Sequence, residues 1–146
     1  MPRPYASGVV AASADEVWAR IRDFNGIADW HPGIQSSELT SGDSGAEVGA
    51  VRRLGLGGDA VVSERLVQLD DDARSCTYTF TDPGPFAVRR YVSTFRVAPV
   101  TDTGHAFVEW WAEYDAEAAD EAELTKTYAR GVYGGGIRAL QEHFGG

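Results

Sequence analysis

The chain carries one cysteine in 146 residues, Cys76, so no internal disulfide can form, and a lone thiol fits a reducing compartment. Positive charge is also scarce: 13 Lys and Arg stand against 22 Asp and Glu, a formal net charge of -9. Phosphate backbones are held by clustered Lys and Arg, so this balance argues against nucleic-acid binding and against docking on an anionic membrane. No stretch approaches the roughly 18 apolar residues that span a bilayer. Met1-Pro2-Arg3-Pro4-Tyr5 lacks the apolar core of a secretory signal, which makes the cytoplasm the expected location. His31, His105 and His143 are scattered and have no nearby Cys pair, so no metal site is read. The letters Gly55-Leu56-Gly57-Gly58-Asp59-Ala60 match a dinucleotide fingerprint, but a strand follows where that motif requires a helix. No triad or P-loop is present, and no cofactor is implied.

What the chain does have is the composition of a folded protein, 43% hydrophobic and 11% aromatic, at a length that suits one domain over residues 1–146. Ser7 to Ala12 reads as a first strand. Ser13 then stands as an N-cap with Glu16 in capping-box spacing, ahead of an amphipathic helix carrying Val17, Trp18 and Ile21. That helix is expected to stop near Asn25-Gly26, with a further short turn over Ile27 to Trp30 ended by Pro32. Period-two alternation dominates from there. It predicts strands over Gln35–Leu39, Glu47–Leu56, Ala60–Asp70, Ser75–Thr81, Phe86–Ala98 and His105–Tyr114, separated by Gly-, Asp- and Pro-rich turns. Short turns between consecutive strands imply antiparallel pairing. From Ala118 to Phe144 the period becomes helical, with Leu124, Tyr128, Val132, Tyr133, Ile137, Leu140 and Phe144 on one stripe.

Residues two apart on a strand share a face, and the faces predicted to point inward are not purely apolar. Glu64 lies between Val62 and Leu66; Tyr78 between Cys76 and Phe80; Tyr91 and Ser93 precede Phe95; Trp110 lies between Val108 and Ala112, with Tyr114 beyond. Burying a carboxylate or phenol without a partner is costly, so these residues point to a wet or ligand-filled cavity. A three-residue loop at Gly57-Gly58-Asp59 sets Leu56 against Ala60, Leu54 against Val62 and Arg52 against Glu64, pairing apolar with apolar and opposite charges together. An inward Arg52–Glu64 pair would keep the carboxylate ionised. Gly131 and Gly134-Gly135-Gly136 fall inside the long helix; close packing on the sheet is the preferred reason, with ligand space or a kink as alternatives.

The order of elements, with Trp30-His31-Pro32, Arg52, Glu64-Arg65-Leu66, Tyr78, Tyr91-Val92-Ser93 and Val108-Glu109-Trp110, resembles the SRPBCC (START/Bet v 1-like) superfamily. Within it, the polyketide cyclase/dehydrase-like (MxaD-like) group is most similar, over Tyr5 to Phe144. The resemblance implies an α+β helix-grip fold: a curved seven-stranded antiparallel sheet wrapped around a long C-terminal helix, with two short helices after the first strand. It also implies a deep apolar cavity for a hydrophobic small molecule; monomer and homodimer both stay open. The gate and latch loops of plant abscisic-acid receptors are not found.

On that reading Glu64, Tyr91, His31 and Tyr78 are the candidate acid–base and hydrogen-bonding groups. Trp30, Arg52, Leu66, Phe80, Ser93, Phe95, Trp110, Tyr114 and Tyr133 are the candidate ligand contacts. Each has a plainer alternative. His31 would be a capping histidine, Glu64 one half of a structural ion pair, and the two tyrosines core aromatics with hydroxyls bonded to backbone. Trp111, on the outer face, is either covered by a partner subunit or exposed. Two functions remain open: an aromatase/cyclase-type enzyme, and a non-catalytic carrier of a hydrophobic molecule or lipid.

Overall fold

A computed structural model describes residues 3–145. The elements run β1 (Tyr5–Val10), α1 (Ala14–Ile21), a 3-10 helix (Phe24–Asp29), β2 (Ser36–Ser41), β3 (Val51–Gly55), β4 (Val61–Asp70), β5 (Ser75–Asp82), β6 (Val88–Pro99) and β7 (Ala106–Ala116). A final helical rod consists of α2 (Ala118–Lys126), a π-helical stretch (Thr127–Gly134) and α3 (Gly135–Gly145). The capping box at Ser13 is complete: Glu16 N–H donates to Ser13 Oγ at 3.1 Å, and Glu16 reaches back to the Ser13 N–H. Asp23 then stops α1 and caps the 3-10 helix by accepting from Asn25 N–H at 3.1 Å.

The seven strands form one antiparallel sheet in the order β1-β7-β6-β5-β4-β3-β2. This is the helix-grip architecture expected from the sequence. The β3–β4 hairpin has the expected register, with Leu54 opposite Val62 and Arg52 opposite Glu64. Gly57 and Gly58 both take positive φ (104° and 57°), which glycine adopts without a Cβ clash. The β4–β5 register shifts at Ser63/Glu64 and again at Leu66/Gln68. Bulges of this kind bend a strand, and here one sits beside the inward carboxylate. Strand β3 begins four residues later than predicted, because Ser44 to Gly49 form turns and Gly49 has a φ of 98°.

The rod lies in the concave face. Gly136 is packed tightly: a Cβ there would stand 2.7 Å from Trp110 Cζ3 and 2.8 Å from His31 Cδ2. Packing therefore accounts for Gly136. At Gly131 a Cβ would meet no atom within 4 Å, so that glycine has another reason, and it sits in the π-helical stretch. On the convex face Trp111 is half-buried by its own chain. Tyr5 stacks on it at 6.3 Å between ring centroids, and the Arg3 guanidinium lies 5.7 Å from the ring.

Candidate functional site

The hairpin register brings Arg52 and Glu64 together inside the sheet, where each is almost fully buried. Arg52 Nε and Nη2 both donate to Glu64 Oε1, at 2.9 and 2.7 Å. Nη1 donates to the Phe24 carbonyl, and the guanidinium lies over the Phe24 ring at 3.7 Å and the Tyr78 ring at 5.0 Å. Arg52 is thus held on every side. Glu64 is not: its Oε2 has no hydrogen-bond partner among the described residues. Burial pushes the Glu64 pKa above the usual carboxylate range, and Arg52 opposes that shift without cancelling it.

Beyond the ion pair lies a cluster of hydroxyls and rings. Trp110 Nε1 donates to Tyr78 Oη at 3.0 Å and to Ser93 Oγ at 3.2 Å. Ser93 Oγ in turn donates to the Trp111 carbonyl at 3.1 Å. The Tyr91 and Tyr133 hydroxyls bond each other directly. Burial raises the pKa of Tyr78, Tyr91 and Tyr133, so these phenols are neutral donors across the physiological range. Cys76 is half-buried and its thiol is pushed up to about 11, chiefly by desolvation, which suits a small packing residue.

The deep cavity implied by the resemblance is not what this interior contains. Among the described residues the spaces between sheet and rod include two small ones, about 40 and about 20 Å³. A cavity of ~150 Å³ is the scale that takes up a single benzene ring. The reason is the rings themselves: Trp110 packs on Tyr133 at 4.9 Å and on Phe95 at 4.8 Å, with Trp30 against both Trp110 and Phe95. The larger space is bordered by Arg52, Glu64, Tyr78, Phe80, Tyr91 and Trp110, and also by Tyr128 and Phe86. Trp30 and Phe95 border the smaller one. Leu66, Ser93, Tyr114 and Tyr133 are buried but border neither. Tyr114 instead ties β7 to α2, donating to the Glu121 carbonyl at 2.8 Å.

His31 lies elsewhere than expected. It borders neither space, and both ring nitrogens are engaged: Nε2 donates to the Val132 carbonyl at 2.7 Å, and Nδ1 accepts from Gly33 N–H at 2.9 Å. Burial lowers its pKa. A proton shuttle needs a free nitrogen, and this histidine is a clamp between the loop after the 3-10 helix and the rod. Tyr128 and Phe86 border the larger space without a sequence signal for it; the helical stripe marks Tyr128 as buried, but no local pattern separates cavity from core.

Strands β5 and β6 are paired only as far as Thr79–Val92, and beyond that they part around a surface cleft of about 410 Å³ that includes Arg89 and Arg90. Phe80 and Tyr91, stacked at 4.2 Å, border both this cleft and the inner space.

A family model described as polyketide cyclase / dehydrase and lipid transport matches residues 1–145. The chain belongs to that family. Among solved structures it is similar to a Thermobifida fusca protein (36% identity, TM-score 0.90, covering 99% of this chain and 94% of that one). It is also similar to the protein XoxI of Bacillus cereus (33% identity, TM-score 0.87, 99% and 96% covered). The Zhui aromatase/cyclase of Streptomyces sp. R1128 shares the fold at 19% identity (TM-score 0.81, 98% and 93% covered). No curated protein matches. Among the described residues no helix is long and apolar enough to cross a membrane.

Proposed function

We propose that this protein takes a hydrophobic, aromatic or polyketide-like small molecule between sheet and rod and catalyses its cyclisation and dehydration by acid–base chemistry. The observation that carries this reading is Glu64: a buried carboxylate locked through one oxygen by Arg52, with the other oxygen unbonded at an apolar cavity. The raised pKa suits a general base toward an acidic C–H, such as the one flanked by two carbonyls. Glu64 would take that proton, the resulting enolate carbon would attack a carbonyl of the same chain, and a neutral phenol of Tyr91 or Tyr78 would protonate the oxygen formed. The phenolate regains its proton from the Glu64 carboxylic acid, and loss of that hydroxyl together with a second C–H proton as water completes an unsaturated ring. His31 takes no part in these steps, since its nitrogens hold the fold together. Such a ligand needs more room than the present spaces offer. Separation of the Phe80–Tyr91 stack would open the inner space to the outer cleft.

A second reading is a carrier without turnover, in a cytoplasmic monomer or homodimer. The near-solid packing and the Arg52 clamp favour it, because a firmly paired carboxylate orients a ligand as readily as it takes a proton. A synthetic poly-β-ketone thioester distinguishes the two. Ring-closed products that have lost water should appear, at a rate reduced about a hundredfold or more in Glu64→Gln. Recovery of the open chain, bound and unchanged, leaves the carrier.

A further inference from the structure

Tyr128 stands apart from the other buried phenols. Tyr78, Tyr91, Tyr114 and Tyr133 all have hydrogen-bond partners, whereas the Tyr128 hydroxyl has none among the described residues, although the residue is 1% exposed. Its ring is fixed by Tyr91 at 4.9 Å, Phe86 at 5.3 Å and Tyr114 at 5.9 Å, so the hydroxyl cannot swing freely to find one. Phenylalanine would fill the same ring site without burying an unpaired O–H, which is costly. Tyr128 borders the same space as Glu64, whose Oε2 is likewise unbonded. The remaining wall is largely apolar, with Ile27, Leu54 and Val62. One unpartnered donor and one unpartnered acceptor therefore belong to side chains that line the same space, and Arg52 already neutralises the carboxylate.

We infer that Tyr128 is a specificity-determining residue: its O–H donates to a carbonyl oxygen of the ligand while a ligand hydroxyl donates to Glu64 Oε2. This rests on the cavity reading above and deepens it. The ligand class is an uncharged ring carrying both a carbonyl and a hydroxyl. A cation would meet Arg52, an anion would meet Glu64, and a bare hydrocarbon would leave both groups unpaired.

The test uses four probes of nearly one shape: p-xylene, p-cresol, 4-methylacetophenone and 4-hydroxyacetophenone, titrated calorimetrically into the full chain and into Tyr128→Phe. In the wild type the hydroxy-ketone should bind at least fivefold tighter than either singly substituted probe. Tyr128→Phe should lose the preference for the carbonyl, keep that for the hydroxyl, and melt no lower than wild type. A measurement on the wild type alone reads the same contact: the 13C=O stretch of labelled 4-hydroxyacetophenone should fall below its value in hexane. Unchanged affinities in Tyr128→Phe overturn the inference, and so does an equal loss for all four probes together with a lower melting point. Failure of every probe to bind the wild type overturns the cavity reading and this inference with it.

Discussion

Around Gly136 the rod and the sheet meet through Trp110, His31, Tyr133 and Ser93, and every polar atom of those four side chains has a partner. Around Glu64, a few residues along the same concave face, the inventory is similar: a charged group, phenols, aromatic walls. There one carboxylate oxygen and the Tyr128 hydroxyl are left open, and the residual space lies beside them. The first region is closed core and the second is site-like. Residue type does not separate the two, and unpartnered polar atoms alone do not either, since Trp30 Nε1, packed on His31 and Trp110, also has no partner; the larger residual space beside Glu64 and Tyr128 does.

The sharpest way to break this contrast is at Arg52. Removing one partner of a buried ion pair leaves an uncompensated charge, a loss of about 3–5 kcal/mol. Arg52→Met should therefore destabilise strongly in urea unfolding, and the Arg52→Met, Glu64→Leu double variant should recover most of the loss. If the single variant loses under about 1 kcal/mol, the pair is solvated and the open oxygen is not special. The closed region is probed at Gly136. A Cβ there would meet two packed rings below 3 Å, so Gly136→Ala should cost about 1–3 kcal/mol. Gly131→Ala is the matched control with open space around it, and it should be neutral or stabilising by up to about 1 kcal/mol. Equal losses at the two positions would mean that helix geometry, not contact with the sheet, sets the glycine requirement.

How far these features could be read in advance follows from the distance over which each is decided. The Arg52–Glu64 pairing was legible because a three-residue hairpin loop fixes register locally, and the capping box at Ser13 and Glu16 lies within one turn of chain. Six of the seven strands were legible from alternation, β1 was expected two residues further along than it lies, and β3 starts late where Gly49 turns the backbone. Closure of the interior was not, because it depends on how Trp30, Phe95, Trp110 and Tyr133 interdigitate from four separate elements. The role of His31 was hidden for the same reason, since its partner Val132 lies 101 residues away. The open hydroxyl of Tyr128 is a missing contact, and no pattern along the chain reports one.

Titration sharpens the contrast from both sides, with the smallest effect. In the closed region burial lowers the pKa of His31 below its ordinary 6.5. Its Nδ1 accepts from Gly33 N–H and has no room for a proton, so its contribution is complete above pH 6.5 and is lost as pH falls through the lowered value. In the open region burial raises the pKa of Glu64 above 4.5. Its contribution is complete below pH 4.5 and is lost as pH rises through the raised value. Between pH 6.5 and 4.5 the two groups oppose each other: acidification weakens the fold through His31 and strengthens it through Glu64. Relative to wild type, His31→Gln should lose less stability across that interval, its amide still able to donate to Val132. Glu64→Gln should lose more. Each difference is bounded by one proton, at most about 1.4 kcal/mol per pH unit. Urea unfolding at half-unit steps reads both slopes, and parallel profiles for wild type and Glu64→Gln would place that carboxylate in water rather than at a dry cavity wall.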